Sequence, residues 1–402
     1  MKRLLTALLA AAAALCPLVA LAAGEKNVDN LPIGNLEGFE SSITWFGEDF
    51  AYDITDEEAC WELLQRPITV LDVSEKEVVY PRVSPNGEKV VNEWMGGSIN
   101  GSLAAVHVLG EDEDGWTLIE GMDYYDRIIR GYVKTSLLKT VTPNNKYGII
   151  IDKLTQRLYM FVDGKLWSSC AVSTGLPNKD QPYNETAAGE YLIGSWVGGF
   201  DSEGMYCEMG IRFNGGDLLH QVPYVEFADG TKDFSKYGSQ LGRKASHGCV
   251  RVARTANDEG LCISWLWENL KKNTKVVVWD DDGRTLPYPD DDLEVYYNPD
   301  GGTSYHATAN CRSVRDKYLP LTAFTYGELD TGDYAKLTPC TNCIPVKRRA
   351  EIDEINQERI ELGELLKNPV YTGGATTGGG TQASDSASDS SQASDGVTIT
   401  IR

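Results

Sequence analysis

The sequence predicts a mainly β, multidomain protein. Three observations lead there. Short runs rich in Val, Ile, Thr and Tyr recur between turn signals such as Pro85-Asn86-Gly87 and Asp163-Gly164. Helical periodicity is confined to two stretches, one after Cys249 and one near the C-terminus. A length of 402 residues points to two or three domains.

Residues 1–22 have a basic start (Lys2, Arg3), an apolar run and an Ala20-Leu21-Ala22 exit, the pattern of a cleaved secretory signal peptide. A lipoprotein reading would use Cys16, but Leu15 precedes it where a small residue is expected; a retained anchor is the other alternative. No later apolar run approaches the ~20 residues that span a bilayer. The expectation is a secreted chain with no transmembrane segment after signal cleavage. A net charge of -22, from 59 acids and 37 bases, argues against a nucleic-acid partner, which needs basic patches to displace counterions from phosphates.

Residues 66–141 read as short strands, among them "ITVLDV", "KEVVYPRV" and "AAVHVLG", with Gly115-Trp116 and Gly131-Tyr132-Val133 opening two more. This stretch resembles a bacterial Src-homology-3-like domain, a small β-barrel, and the resemblance implies recognition of cell-wall peptide. A β-module that only packs on its neighbour fits the same residues. His107 falls inside a strand and reads as structural.

Across residues 147–281, "YGIIIDKLTQRLYMFVDGKLWSSC" alternates apolar and polar residues around the Asp163-Gly164 turn, and "GMYCEMGIRFNGGDLLHQV" continues as strands with glycine corners. "RTANDEGLCISWLWENLKKNTKV" predicts a helix: Leu261/Trp265 and Cys262/Leu266/Leu270 share a face at i, i+4 spacing, which makes Cys262 a core residue. "KVVVWDD" reads as a closing strand.

The chemistry concentrates in Ser246-His247-Gly248-Cys249. Of the nine cysteines Cys16 lies in the signal segment, and the other eight would allow four disulfides in a secreted chain. Cys249 has different neighbours, however. A nucleophilic thiol needs a base, oxyanion donors and access. His247 lies two residues before Cys249, on the same face of an extended strand. His220 ends a strand-like run, "FNGGDLLH", that can lie beside the first. Gly248 leaves room for a substrate, and the N–H groups of Gly248 and Cys249 are candidate oxyanion donors. Cys60, Cys170 and Cys207 have no assigned role.

The sequence Ser246-His247-Gly248-Cys249-Val250-Arg251, after a strand ending in His220, resembles the L,D-transpeptidase catalytic (YkuD-type) domain. The opening hairpin and "ETAAGEY" extend that resemblance. It implies a β-sandwich catalytic domain with one helix after the cysteine, acting on peptidoglycan stem peptides in the cell wall or periplasm. It also implies Cys249 as nucleophile, His220 as general base and acid, and the Gln221 carbonyl as the group orienting the imidazole. Ser246, His247 and Gly248 would line the site, Arg251 would take a substrate carboxylate, and Tyr206 would form part of a substrate wall. No cofactor is implied for catalysis. The reaction is a 3→3 cross-linking transpeptidation or, with water as acceptor, an L,D-carboxypeptidation; a catalytically silent wall-binding protein is the alternative from another class. Two departures are visible. The stretch from His220 to Cys249 is longer than usual, so residues 221–243 are expected to form a loop over the cleft. Ala187 stands where the family usually has Pro.

Residues 286–367 hold a second constellation, His306, Cys311, Cys340 and Cys343, spaced H-x4-C and C-x2-C. One imidazole and three thiolates suit a closed tetrahedral zinc site; a disulfide from Cys311 to Cys340 or Cys343 is the rival outside the cytoplasm. The segment resembles the metal-binding module of the Ada repair protein, without its basic context. "VKRRAEIDEINQERIELGELLK" follows as a helix with Ile352, Ile355, Leu362 and Leu366 on one stripe. Residues 370–402, rich in Gly, Ser and Asp, are expected to be disordered.

Overall fold

A computed structural model describes residues 51–90, 98–111, 114–122, 128–178, 181, 184–202, 204–367 and 400–401. The signal segment and nearly all of the tail lie outside the described residues. Thr400–Ile401 pair with Phe200 and Asp201. The protein is mainly β, with four α-helices among the described residues.

The centre is a long bent sheet. Its strand order is 189–192, 275–279, 147–152, 157–162, 165–173, 250–252, 217–221, 205–214 and 196–202. Tyr147–Asp152 is buried along its whole length, so it reads as an unbroken apolar run instead of an alternating one. One cover is the helix Glu57–Gln65, which sequence pattern hardly announces: its buried stripe is only Cys60, Leu63 and Leu64. Gly148 is needed beneath it, because a Cβ there would lie 2.7 Å from Leu64 Cδ1. Asp56 caps the N-terminus of this helix through the Ala59 N–H at 3.0 Å. Buried Lys275 takes its last turn, donating to the Leu63 and Arg66 carbonyls at 2.7 and 2.9 Å while pairing with Glu190 at 2.5 Å.

The N-terminal β unit wraps its own core of Leu71, Val90, Ile99, Val106, Ile119, Ile129 and Val133. It also docks on the edge strand Gly189–Leu192, where Ala105 N–H donates to Glu190 O and Leu192 N–H to Leu103 O, both at 2.9 Å. A sheet edge is thereby covered.

The helix expected after Cys249 is shorter than its periodicity suggests, Ile263–Asn269. Gly260 has φ +97° and Asn257 Oδ1 accepts the Leu261 N–H at 2.8 Å, so 257–262 closes as a capped turn. Leu261, Leu266 and Leu270 still reach the core.

The C-terminal module is a four-stranded sheet, order 322–325, 294–297, 304–306, 338–339, followed by the helix Arg349–Lys367. Ile352 and Ile355 of that helix are buried and Leu362 is half-buried; the Leu366 side chain lies outside the described residues. Arg359 reaches the unit built on the central sheet and meets Asp281 at 2.8 Å. Asp281 also binds Lys244 at 2.8 Å, and Glu185 joins Lys244 and Lys153 at 2.9 and 2.6 Å. Burial opposes the Asp281 charge, but Lys244, Lys153 and Arg359 hold its carboxyl down to about 2. Removing one member of such a set strands the others without water. Lys244→Ala is expected to lower stability by about 3 kcal/mol or more in denaturant titration; Lys336→Ala, on the exposed pair with Asp333, should leave the midpoint unchanged.

Candidate active site

The strand Asp217–Gln221 lies parallel to Val250–Val252, with Leu219 opposite Val250 and His220 opposite Arg251. Parallel neighbours need a crossover of a dozen residues or more. The long stretch between His220 and Cys249 is that crossover. It is a packed structure: a hairpin of Val225–Glu226 and Lys232–Asp233, then the short helix Ser235–Gly238. Tyr237 is buried against Met205 and Val222, Ser173 Oγ donates to Gln240 O at 2.7 Å, and Gly242 N–H donates to Val172 O at 2.9 Å.

Alternation along these strands divides their side chains. Leu219, Val250 and Val252 enter the main core. His220, Leu218 and Arg251 therefore leave by the other face. There Cys249 packs against Phe200, Cys207 and Leu218, and the Phe200 ring meets the His220 imidazole edge-on at 5.3 Å. Thiol and imidazole thus border the same apolar cluster. His220 Nδ1 lies 2.7 Å from the Gln221 carbonyl. A carbonyl only accepts, so the proton sits on Nδ1 and Nε2 keeps its lone pair.

The turn that carries the thiol is not an extended strand. Gly248 has φ +121°, and the strand begins only at Val250. The two-residue alternation that would align His247 with Cys249 therefore fails, and His247 is exposed. The side-chain direction of Gly248 is occupied: a Cβ there would lie 2.8 Å from Asp217 Oδ1. The Gly248 N–H is directed at Ser246 Oγ, 3.3 Å away. Ser246 itself is 2% exposed and its hydroxyl donates to the Cys249 carbonyl, which shapes the turn. Thr186 completes the clamp, donating to Gly248 O at 2.5 Å and accepting the Gly175 N–H at 2.8 Å. Ala245 and Ser246 both donate to Thr174 O.

Arg251 is also buried, its Nη1 donating to Gln240 Oε1 at 2.6 Å and its guanidinium 5.4 Å from the Tyr237 ring centroid. It ties the crossover to the catalytic strand. Tyr206 stacks on Tyr224 of the crossover with centroids 5.7 Å apart, one step out of phase with Cys207.

Three residues near the thiol carry no sequence signal beyond their type. Cys207 packs beside Cys249, and burial pushes its thiol far up. Arg212, opposite Leu218, has a buried Nε with no hydrogen-bond partner among the described residues. Asp217 lies against Gly248, and burial raises its carboxyl to about 7, only partly offset by the Asn214 amide. A lone acid in the apolar run "DLLHQ" was the available hint.

Residues 146–278 match the family model of the L,D-transpeptidase catalytic domain, YkuD. No curated protein matches the chain. Solved structures similar to it include an L,D-transpeptidase from Mycobacterium smegmatis, 12% identical over 44% of this chain and 82% of that one, with a TM-score of 0.25. Another is the L,D-transpeptidase of Xylanimonas cellulosilytica, 20% identical over 34% of this chain and 61% of the other, TM-score 0.24. A fused Zn-dependent amidase/peptidase/peptidoglycan-binding protein of Clostridium acetobutylicum is 19% identical over 35% of this chain, TM-score 0.24; the match spans about half, 55%, of that protein's length.

Within the matched segment the resting pair is neutral. Burial, then Asp217, pushes the Cys249 thiol up to about 12, against weaker opposing effects of the Leu218 backbone, Arg251 and Arg212. Burial lowers His220 to about 4. The folded state thus prefers neutral His220. Its contribution to stability is complete above the unfolded value near 6.5 and is lost as pH falls toward 4, roughly 3 kcal/mol in all. Stability measured from pH 7 to pH 4 should fall less in His220→Asn than in the parent. Iodoacetamide alkylation of Cys249 should rise with pH without a plateau below pH 9; a plateau near neutrality would indicate a preformed thiolate. Asp217 works in the opposite sense, costing stability as pH rises from about 4 through 7. Asp217→Asn is therefore expected to raise the melting temperature at pH 8 but not at pH 3.5, and to speed Cys249 alkylation.

Proposed function

We propose that the protein is a secreted L,D-transpeptidase that forms 3→3 peptidoglycan cross-links through a Cys249 acyl-enzyme. The observation that carries this reading is the thiol and the Nε2-open imidazole bordering one apolar cluster inside the segment that matches the transpeptidase family.

The chemistry follows from the neutral pair. The Cys249 sulfur attacks the carbonyl of the third stem residue as its proton passes to His220 Nε2. The Cys249 backbone N–H stabilises the oxyanion, a donor worth about 3 kcal/mol in related chemistry; the Gly248 N–H is held by Ser246 Oγ. The C–N bond to the terminal D-amino acid breaks, and His220 returns the proton to the departing amine. A side-chain amine from a second stem then attacks the thioester and gives its proton to His220; the C–S bond breaks and the sulfur regains the proton. With water in place of the amine the same steps give an L,D-carboxypeptidase. The Nδ1–Gln221 bond keeps Nε2 available through the cycle. The clamp of Thr186, Ser246 and Thr174 holds the turn while charge moves.

The test is mass spectrometry of tetrapeptide muropeptides incubated with the chain lacking residues 1–22 and with its Cys249→Ala form. Cross-linked dimers lacking the terminal D-alanine, made only by the intact thiol, are expected. Tripeptide monomers alone would reassign the activity to carboxypeptidation. A carbapenem should add once to the parent and not to Cys249→Ala; absence of any adduct would favour a wall-binding role.

A further inference from the structure

The C-terminal module contains four side chains that the catalytic chemistry does not use. His306, Cys311, Cys340 and Cys343 come from three separated stretches: the strand Ser304–His306, the turn after it, and the turn following Thr338–Pro339. The fold brings their ligand atoms within 4.8 Å of one another. Cys311 is fully buried, and His306 and Cys340 nearly so.

The spacing of these atoms discriminates between the two chemistries open to them. Around zinc, with Zn–S near 2.3 Å and Zn–N near 2.0 Å, tetrahedral geometry sets S···S at about 3.8 Å and S···N at about 3.5 Å. The sulfurs of Cys311 and Cys340 lie 3.9 Å apart, and Cys343 Sγ lies 3.7 Å from His306 Nδ1. A disulfide would need about 2.0 Å. The surroundings also suit thiolates. The Ala307 N–H points at Cys343 Sγ at 3.3 Å, the Asn342 N–H at Cys340 Sγ at 3.4 Å, and the Asn342 amide at Cys311 Sγ at 3.7 Å. Three thiolates on a divalent ion leave one negative charge, which such donors offset.

We propose that His306, Cys311, Cys340 and Cys343 hold one Zn²⁺ in a closed structural site, and that this metal clasps the C-terminal module onto the catalytic domain. The link is Arg312, next to a proposed ligand. Its guanidinium donates to the Asn257 and Asp258 carbonyls at 3.2 and 2.8 Å and pairs with the Asp258 carboxylate at 3.2 Å. Asn257 in turn holds Ser168 Oγ, Ser169 O and the Leu261 N–H, on the turn just beyond the catalytic strand. With four protein ligands and no open position, the ion supplies folding energy and takes no part in acyl transfer.

The experiment is metal analysis of the chain lacking residues 1–22, purified without chelator and after reconstitution with Zn²⁺ under reducing conditions. One zinc per chain is expected in the parent and in Cys249→Ser, and a loss in Cys340→Ser and His306→Ala. Because those variants are at risk of misfolding, the parent is also loaded with Co²⁺, which should show thiolate-to-cobalt charge-transfer and tetrahedral d–d bands. Chelation should raise amide exchange at 257–261 by at least about tenfold. Less than a tenth of an equivalent of zinc after reconstitution, an octahedral cobalt spectrum, or a Cys311–Cys340 disulfide in the peptide map overturns the site. Exchange unmoved by chelation overturns the clasp. The site stands or falls independently of the proposed transferase activity, since Cys249→Ser tests the two apart.

Discussion

The parallel pairing of Asp217–Gln221 with Val250–Val252 is the constraint on which the site depends. Antiparallel neighbours can be joined by two residues, whereas parallel ones require the chain to travel back to the starting end. The return path holds the hairpin and short helix that bury Tyr237 and place Gln240 against Arg251. A crossover between histidine and cysteine is thus a consequence of topology. Its content is a built wall, pinned to Val172 and Ser173 at its far end.

A second constraint is electrostatic. Lys244 lies two residues before Ser246, and its ammonium is held by Glu185 and Asp281 without water. Thr186 follows Glu185 and grips the Gly248 carbonyl. The same two segments therefore anchor the nucleophile turn twice, once through charge and once through a neutral hydroxyl. Arg359 extends the charged set to the C-terminal helix, so that module contributes to the environment of the turn without reaching the thiol. Lys275 plays a comparable part at the other end of the sheet, joining the first helix to Glu190 on the strand that the N-terminal unit covers.

The electrostatic state of the site follows from burial. Apolar neighbours (Phe200, Leu218 and Cys207) surround the sulfur, and Asp217 disfavours its anion. The same burial keeps His220 unprotonated. Such a pair holds no ion pair at rest.

Residue order alone was enough for the β character, the Ser246–Arg251 box, the histidine that ends a strand and the two cysteine groups, because each is a local pattern of type and spacing. It misjudged what depends on backbone conformation or distant partners. The alternation that put His247 beside Cys249 does not hold once Gly248 takes φ +121°, and the hydrogen bonds of Ser246 to the Cys249 carbonyl and of Arg251 to Gln240 were not visible in the spacing. The helix after the thiol shrank to Ile263–Asn269 because Asn257 and Gly260 close a turn that periodicity does not register. Asp217, Arg212, Phe200 and Thr186 entered the site only through sheet register and the approach of remote segments. Those contacts are set by which strands become neighbours, a property of the packed chain that no window of sequence contains.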